Sequence, residues 1–289
     1  MKEVKLTDWQ SKRDLRFTDV KTDAPKKISH EQIADYNHNG FISGLAIFSE
    51  TEARDHLDFF DTLMQENNQN GNDGYAINGY QTACKDLWDI CTNSRILDTV
   101  EDIIGPDIIC WGTHFFCKMP YDTKHVPWHQ DASYWPLTPS NTVTAWLAID
   151  DVDEENSAMC FIPGTHRLGH LDWKTSNEDA VLSREITQID SYGKPFSNNL
   201  KAGQISLHAD MLAHGSSPNT SARRRCGLTI RYAPPTVVPL TNWGKNAIIC
   251  RGEDPSGNWT DNPRPESNSL DPNHLNNIFG EDMGQGLGK

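Results

Sequence analysis

The stretch DIICWGTHFFCKMP, running from Asp107 to Pro120, is where the chain changes its period. Upstream, apolar residues recur every three or four positions, as on one face of a helix. From Asp107 onward they alternate, as on half-buried strands. Within the stretch, strand alternation predicts that Cys110, Gly112, His114, Phe116 and Lys118 share one face.

On the upstream side, residues 1–28 are polar and read as an extended lead-in. A short helix is expected from Ile28 to Tyr36, with Ser29 as N-cap and Gln32 at the capping-box position. Phe41 to Phe48 reads as a strand. Ser49-Glu50-Thr51-Glu52 is a second capping box, opening a helix to about Gln65 whose Leu57, Phe60, Leu63 and Met64 keep helical spacing. A loop rich in Asn and Gly follows, from Glu66 to Gly79. Ala83 to Ile104 is helical in two parts, broken near Thr92-Asn93 and ended by Gly105-Pro106.

Downstream, strands are expected at 107–118, 126–131, 142–150, 158–162, 203–207, 211–214, 226–233 and 246–250, with Pro, Gly, Asn and Asp in the breaks. The tail, 252–289, reads as irregular and able to fold over an edge of the core. Helices followed by many short strands predict one α+β domain over residues 1–289, with a β-sandwich or jelly-roll core.

Composition narrows the function. The chain has 289 residues, 36% hydrophobic, with nine Trp, enough for a sizeable core. A net charge of −14 disfavours a polyanionic partner such as nucleic acid. No run of about 18 apolar residues exists for a membrane span. The charged start MKEVKLTDWQSKRDLRF lacks the apolar segment of a secretory signal. Seven scattered Cys, never as CxxC, fit a reducing cytoplasm.

The chemistry starts at VPWHQD, Val126 to Asp131. Residues i and i+2 of a strand share a face, so His129 and Asp131 project together. An isolated His-x-Asp is more often a hydrogen-bonded pair on a solvated face. Here HGSSPN supplies His214 far downstream, and Arg225 follows eleven positions later. Two His and one carboxylate make the facial triad of a non-haem Fe(II) site with open positions. A 2-oxo acid can fill two of them and O2 the third. Arg225 offers a guanidinium fork for a carboxylate.

In these pieces, with ILDTVEDIIGPDI, WGTHFFCKMP and TVTAWLAIDDVDEENSAMCFIPGTH, the chain resembles the phytanoyl-CoA dioxygenase family of Fe(II)/2-oxoglutarate oxygenases, roughly from Phe41 to Pro235. The resemblance implies a double-stranded β-helix (jelly-roll, cupin-like) core with N-terminal helices packed on one sheet. It implies His129, Asp131 and His214 as iron ligands and Arg225 for the 5-carboxylate of 2-oxoglutarate. Ser216 would bond the same end. Trp146 would line the cosubstrate pocket, with Thr144 on the same strand face. Lys118 would lie near the cosubstrate or an anionic substrate group. Halogenases of the family lack the carboxylate ligand, so Asp131 favours hydroxylation, with release of succinate and CO2.

Candidate substrate contacts are Lys118, His114, Tyr134, Trp135 and Asn78, with Tyr80 and Gln81 nearby. Tyr134 and Trp135 read equally as a hydrophobic plug. His208 reads as structural, and His125 and His166 as surface or outer groups. The expected substrate is a small free metabolite. The passage WGTHFF to VTAWLAI is similar to bacterial family members that hydroxylate 2-aminoethylphosphonate or its N-methylated (trimethylammonio) form. Three alternatives remain: a tailoring hydroxylase of another amino-acid-like or natural-product substrate, a cupin-type metalloenzyme without 2-oxoglutarate, and a silent binding protein.

Overall fold

The computed structural model describes residues 9–279. The first part of the lead-in, 1–8, and the end of the tail, 280–289, lie outside the described residues. In chain order the helices are α1 (His30–Asn39), α2 (Glu50–Gln69), α3 (Lys85–Cys91), α4 (Ser94–Ile104) and α5 (His274–Phe279). The longer strands are β1 (Phe41–Ala46), β2 (Ile108–Lys118), β3 (Val126–His129), β5 (Val143–Ala148), β10 (Gln204–Ala209), β12 (Arg225–Ala233) and β14 (Ile248–Arg251). Short strands complete the set: β4 (Leu137–Thr138), β6 (Cys160–Phe161), β7 (Trp173–Thr175), β8 (Arg184–Ile186), β9 (Phe196–Ser197), β11 (His214–Ser216) and β13 (Val238–Pro239).

Both capping boxes form. Ser29 and Gln32 close the start of α1, and Ser49 and Glu52 that of α2. Gly40 ends α1 in the left-handed conformation (φ 87°) and turns the chain directly into β1. The helices α1 and α2 run a turn past their expected ends. The polar residues there carry no stop signal, so the capped ladder continues.

The strands make a six-stranded sheet, β1-β10-β5-β12-β2-β14, and a four-stranded sheet, β3-β11-β6-β9. This is the α+β jelly-roll architecture expected. Alternation divides the larger sheet cleanly. Val143, Ala145, Leu147, Ile205, Leu207, Cys226, Leu228, Ile230 and Tyr232 pack in one core with Phe60, Leu63, Leu87, Ile96 and Val100 of the helices. The intervening residues turn to the other face, toward the smaller sheet.

The alternation expected in the opening stretch fails at one point. A β-bulge in β2 shifts its register against β12, so that Arg231 pairs with Gly112 but Tyr232 with Cys110. The extra residue flips the parity of what precedes it. Cys110 joins the helix-side core, while Gly112, His114, Phe116 and Lys118 keep the opposite face as expected. Nothing in the residue types marks the bulge.

The exposed half of the β2 edge is covered by the Asn/Gly-rich loop. Cys117 N–H donates to Gly74 O, Phe115 N–H to Ile77 O, and Gly79 N–H to Thr113 O. The tail folds over the core, though it is not wholly irregular, since α5 lies in it: Leu270 and Trp259 are buried, and Trp259 Nε1–H donates to Val237 O. The lead-in from residue 9 packs as well, beside the cluster that holds Trp135 and Trp259. Its Arg13 guanidinium donates to Ala132 O and Trp135 O.

Candidate metal centre

The strands β3 and β11 pair antiparallel with His129 directly opposite His214. Cross-strand partners share a face, so the two imidazoles meet. Gly215 lets the backbones approach, since a Cβ there would stand 3.0 Å from Val126 O and 3.1 Å from Trp128 N. The strand β3 ends at His129, two residues earlier than expected. Gln130 stays extended (φ −110°, ψ 126°), and a 3-10 turn begins at Asp131. The carboxylate still reaches the imidazole side, with His129 Nε2 3.5 Å and His214 Nε2 3.9 Å from Asp131 Oδ1. Gln130 points away and fastens the surroundings: its amide donates to Gly169 O and Met211 O and accepts from Leu171 N.

This donor set suits a divalent cation. His129 Nδ1 lies 2.8 Å from Pro127 O and His214 Nδ1 2.9 Å from Leu212 O. A carbonyl only accepts, so each Nδ1 carries its proton and each Nε2 presents a lone pair. Burial holds His214 well below its ordinary pKa, so it stays neutral. Burial opposes ionisation of Asp131, but His214, His129 and His208 outweigh it and hold the carboxyl well below the usual carboxylate range. The three donor atoms lie within 4.8 Å of one another, the spacing a single ion can span.

The triad opens into a cavity lined also by Phe116, Val126, Trp146, Met159, His208, Ser216, Arg225, Thr229 and Arg231. Three successive arginines separate by alternation. Arg224 lies on the helix side, bound in a fork to Asp150 and to Asp61. Arg223 reaches outward to Asp153 and Glu155. Arg225 turns inward, 2% exposed, with its Nε–H donating to Ser157 O. Its guanidinium stands 5.5 Å from the Trp146 ring. Trp146 in turn lies flat over Gly227, where a Cβ would fall 1.9 Å from the indole. Ser216 Oγ is buried beside them without a partner. Thr144 Oγ1 donates to Asp131 Oδ2 at 3.4 Å.

Other expected contacts lie elsewhere. Lys118 is fully buried, and its ammonium donates to Lys124 O, Ser216 O and Ser217 O instead of facing the cavity. Burial and then Arg225 pull its pKa down to about 6. His114 Nε2 meets Tyr75 O, and Asn78 bridges to His114 on the covering loop. Gln81 is buried and tied to Asn246 O and Thr113; Tyr80 stacks on His274. Tyr134 is half-buried, its hydroxyl engaged with Arg184 and its ring 6.1 Å from that of His129. Trp135 is packed edge-on against Trp111.

Two histidines depart from their expected setting. His166 is fully buried against Phe17 and Asn37, not at the surface, because α1 and the lead-in cover its turn. His208 lines the cavity itself, with Nε2 3.7 Å from Asp131 Oδ2 and neither ring nitrogen hydrogen-bonded. No sequence motif marks Arg231, although it stands an even six positions after Arg225 on one apolar strand. That parity was the available signal.

A jelly roll that holds two histidines and a carboxylate around an open cavity defines the cupin-like class of metalloproteins. Within that class the chain belongs to the phytanoyl-CoA dioxygenase (PhyH) family, whose model matches residues 29–227. It is 30% identical over 158 residues to a probable alpha-ketoglutarate-dependent hypophosphite dioxygenase of Stutzerimonas stutzeri, covering 53% of this chain and 54% of that protein. It is 29% identical over 158 residues to the peroxisomal phytanoyl-CoA dioxygenase of Bos taurus, covering 52% and 46%. The matched segment thus spans about half the length of these curated relatives. Among solved structures, the apo form of ThoJ, a non-heme monooxygenase, superposes with a TM-score of 0.71 at 26% identity, over 85% of this chain and 92% of that one.

Proposed function

We propose that the protein is an Fe(II)/2-oxoglutarate-dependent oxygenase that hydroxylates an unactivated C–H bond of a small polar metabolite. The observation that carries this reading is the convergence of His129, Asp131, His214 and buried Arg225 on one cavity. His129, Asp131 and His214 would hold the iron. Bound Fe(II) with 2-oxoglutarate and O2 supplies the oxidising power, with succinate and CO2 as co-products.

The chain's own residues do the rest. The Nδ1–H bonds to Pro127 O and Leu212 O fix both imidazoles as Nε2 donors. Asp131 brings the single negative charge, and Thr144 steadies its second oxygen. Arg225 would take the far carboxylate of 2-oxoglutarate, with Ser216 Oγ as a second donor and Trp146 excluding water behind them. Retention of Asp131 leaves no vacancy for a halide, which favours oxygen transfer.

For the substrate, an organophosphonate such as 2-aminoethylphosphonate or its trimethylammonio form is the best-supported choice. The similarity to a hypophosphite dioxygenase supports a phosphorus oxyanion. An amino-acid-like substrate is the second reading, favoured by 24% identity over 181 residues to an L-proline trans-4-hydroxylase of Streptomyces griseoviridis. We further read residues 1–289 as one domain built around this site, acting in the cytoplasm.

Anaerobic titration with Fe(II) and 2-oxoglutarate tests the reading. A metal-to-ligand charge-transfer band is expected in the wild type, lost in Asp131→Ala and weakened in Arg225→Ala. Aminoalkylphosphonates should then trigger succinate release in air. A wild type with no band sinks the oxygenase; a band without substrate-triggered succinate sinks the phosphonate.

A further inference from the structure

The cavity holds a second buried cation that the metal and the cosubstrate leave unused. Arg231 lies on the same face of β12 as Arg225, beyond Gly227 and Thr229, so that about 20 Å of strand separates the two Cα atoms. It is 8% exposed and lines the cavity. The bulge in β2 sets Gly112 opposite it, and the arginine side chain lies across that glycine, where a Cβ would make ordinary contact at 3.7 Å with its Cδ and Nη1. The same bulge brings Trp111 alongside, 5.7 Å from the guanidinium, and Trp135 stands 5.3 Å away on another side.

What is missing is a counter-ion. Among the described residues no carboxylate lies within ion-pair distance of Arg231, and its buried Nε has no hydrogen-bond partner. Asp131 is close enough for its charge to be felt, but that carboxylate faces the two ligand histidines. A buried guanidinium without an anion is costly to keep. Aromatic faces support a cation without neutralising it.

We propose that Arg231, braced by Trp111 and Trp135, is the anchor for an oxyanion on the primary substrate, a phosphonate or a carboxylate. The inference rests on the oxygenase reading and adds to it the residue that selects the substrate. The cavity that the triad lines then carries a cation toward each end of β12. Arg225 serves the cosubstrate and Arg231 the molecule to be hydroxylated. The molecule to be hydroxylated is anionic and is held by its charged end at Arg231.

Calorimetric titration of methylphosphonate, 2-aminoethylphosphonate, acetate and β-alanine tests the assignment, with protein holding Mn(II) and 2-oxoglutarate and with metal-free protein. At least one oxyanion class should bind the wild type, and the two pairs of probes tell phosphonate from carboxylate. Arg231→Gln should weaken that binding by about 100-fold and Arg231→Lys by less, while 2-oxoglutarate affinity stays within about twofold. Arg231→Gln removes a charge that the free protein leaves unpaired, so its melting temperature should hold or rise. Equal oxyanion binding by wild type and Arg231→Gln overturns the proposal. So does loss of 2-oxoglutarate affinity in its place, or no binding by any probe. Failure of Mn(II) and 2-oxoglutarate to bind the wild type counts against the oxygenase itself, and the metal-free titration still reads Arg231.

Discussion

Gly227 shows how one residue without a side chain sets the cosubstrate end of the cavity. The Trp146 indole occupies the space its Cβ would need. Gly227→Ala should therefore cost about 1–3 kcal/mol in a denaturant titration and push Trp146 from beneath Arg225. Affinity for 2-oxoglutarate, read from the charge-transfer band, should fall by about tenfold or more. His166 carries a different kind of prediction. Burial lowers its pKa to about 4, against 6.5 for the free side chain. Between those values the unfolded chain binds the proton and the folded chain does not, so stability is lost as pH falls from 6.5 to 4. Melting curves over that window should drop by on the order of 5 °C from this group, and the drop should shrink in His166→Gln.

At the scale of elements, the turn after β3 is where strand logic stops and packing takes over. Asp131 to Ser133 form a 3-10 turn, and Ala132 N–H donates to Asp210 O while the lead-in reaches over from outside. Arg13 holds two carbonyls of the segment, and Asp14 N–H donates to Thr138 Oγ1. This strap presses Trp135 toward Trp111. Arg13→Ala should destabilise the protein by about 1–2 kcal/mol. Hydrogen exchange should quicken at the amides of residues 131–138 while β12 stays protected. Unchanged exchange there would show that the lead-in does not hold the turn. The bulge in β2 belongs to the same scale, since it turns an ordinary alternating strand into one that seats both Trp111 and Gly112 beside Arg231.

For the whole molecule, the triad joins two distant pieces of chain, the end of β3 with its turn and β11, so metal binding should stabilise the fold and not merely decorate it. An Fe(II) or Mn(II) concentration 100 times the dissociation constant adds about 2.7 kcal/mol, or roughly 5 °C in melting temperature. Chelation should reverse the shift, and Asp131→Ala should abolish it. A shift that survives Asp131→Ala would place the metal elsewhere. The helix layer packs on the outer face of the large sheet and leaves the inner face for polar groups. That division explains how Thr144, Ser206, His208, Thr229 and Arg231 stay buried in one layer.

The capping boxes, the change from period 3.6 to period 2 and the shared face of His129 and Asp131 were legible in the sequence, because each rests on local chemistry or on spacing within a short segment. His214 and Arg225 lie on other strands, and only the resemblance to the family joined them to that pair. The tertiary structure alone decided the parity of Cys110, the burial of His166 and the fate of Lys118. Each depends on what packs from afar: a bulge set by the partner strand, a helix laid over a turn, and three carbonyls from other segments. Sequence periodicity reports which face a side chain takes. Only the packed neighbours determine which partners that face holds, and for Arg231 the described residues offer two indole rings but no anion.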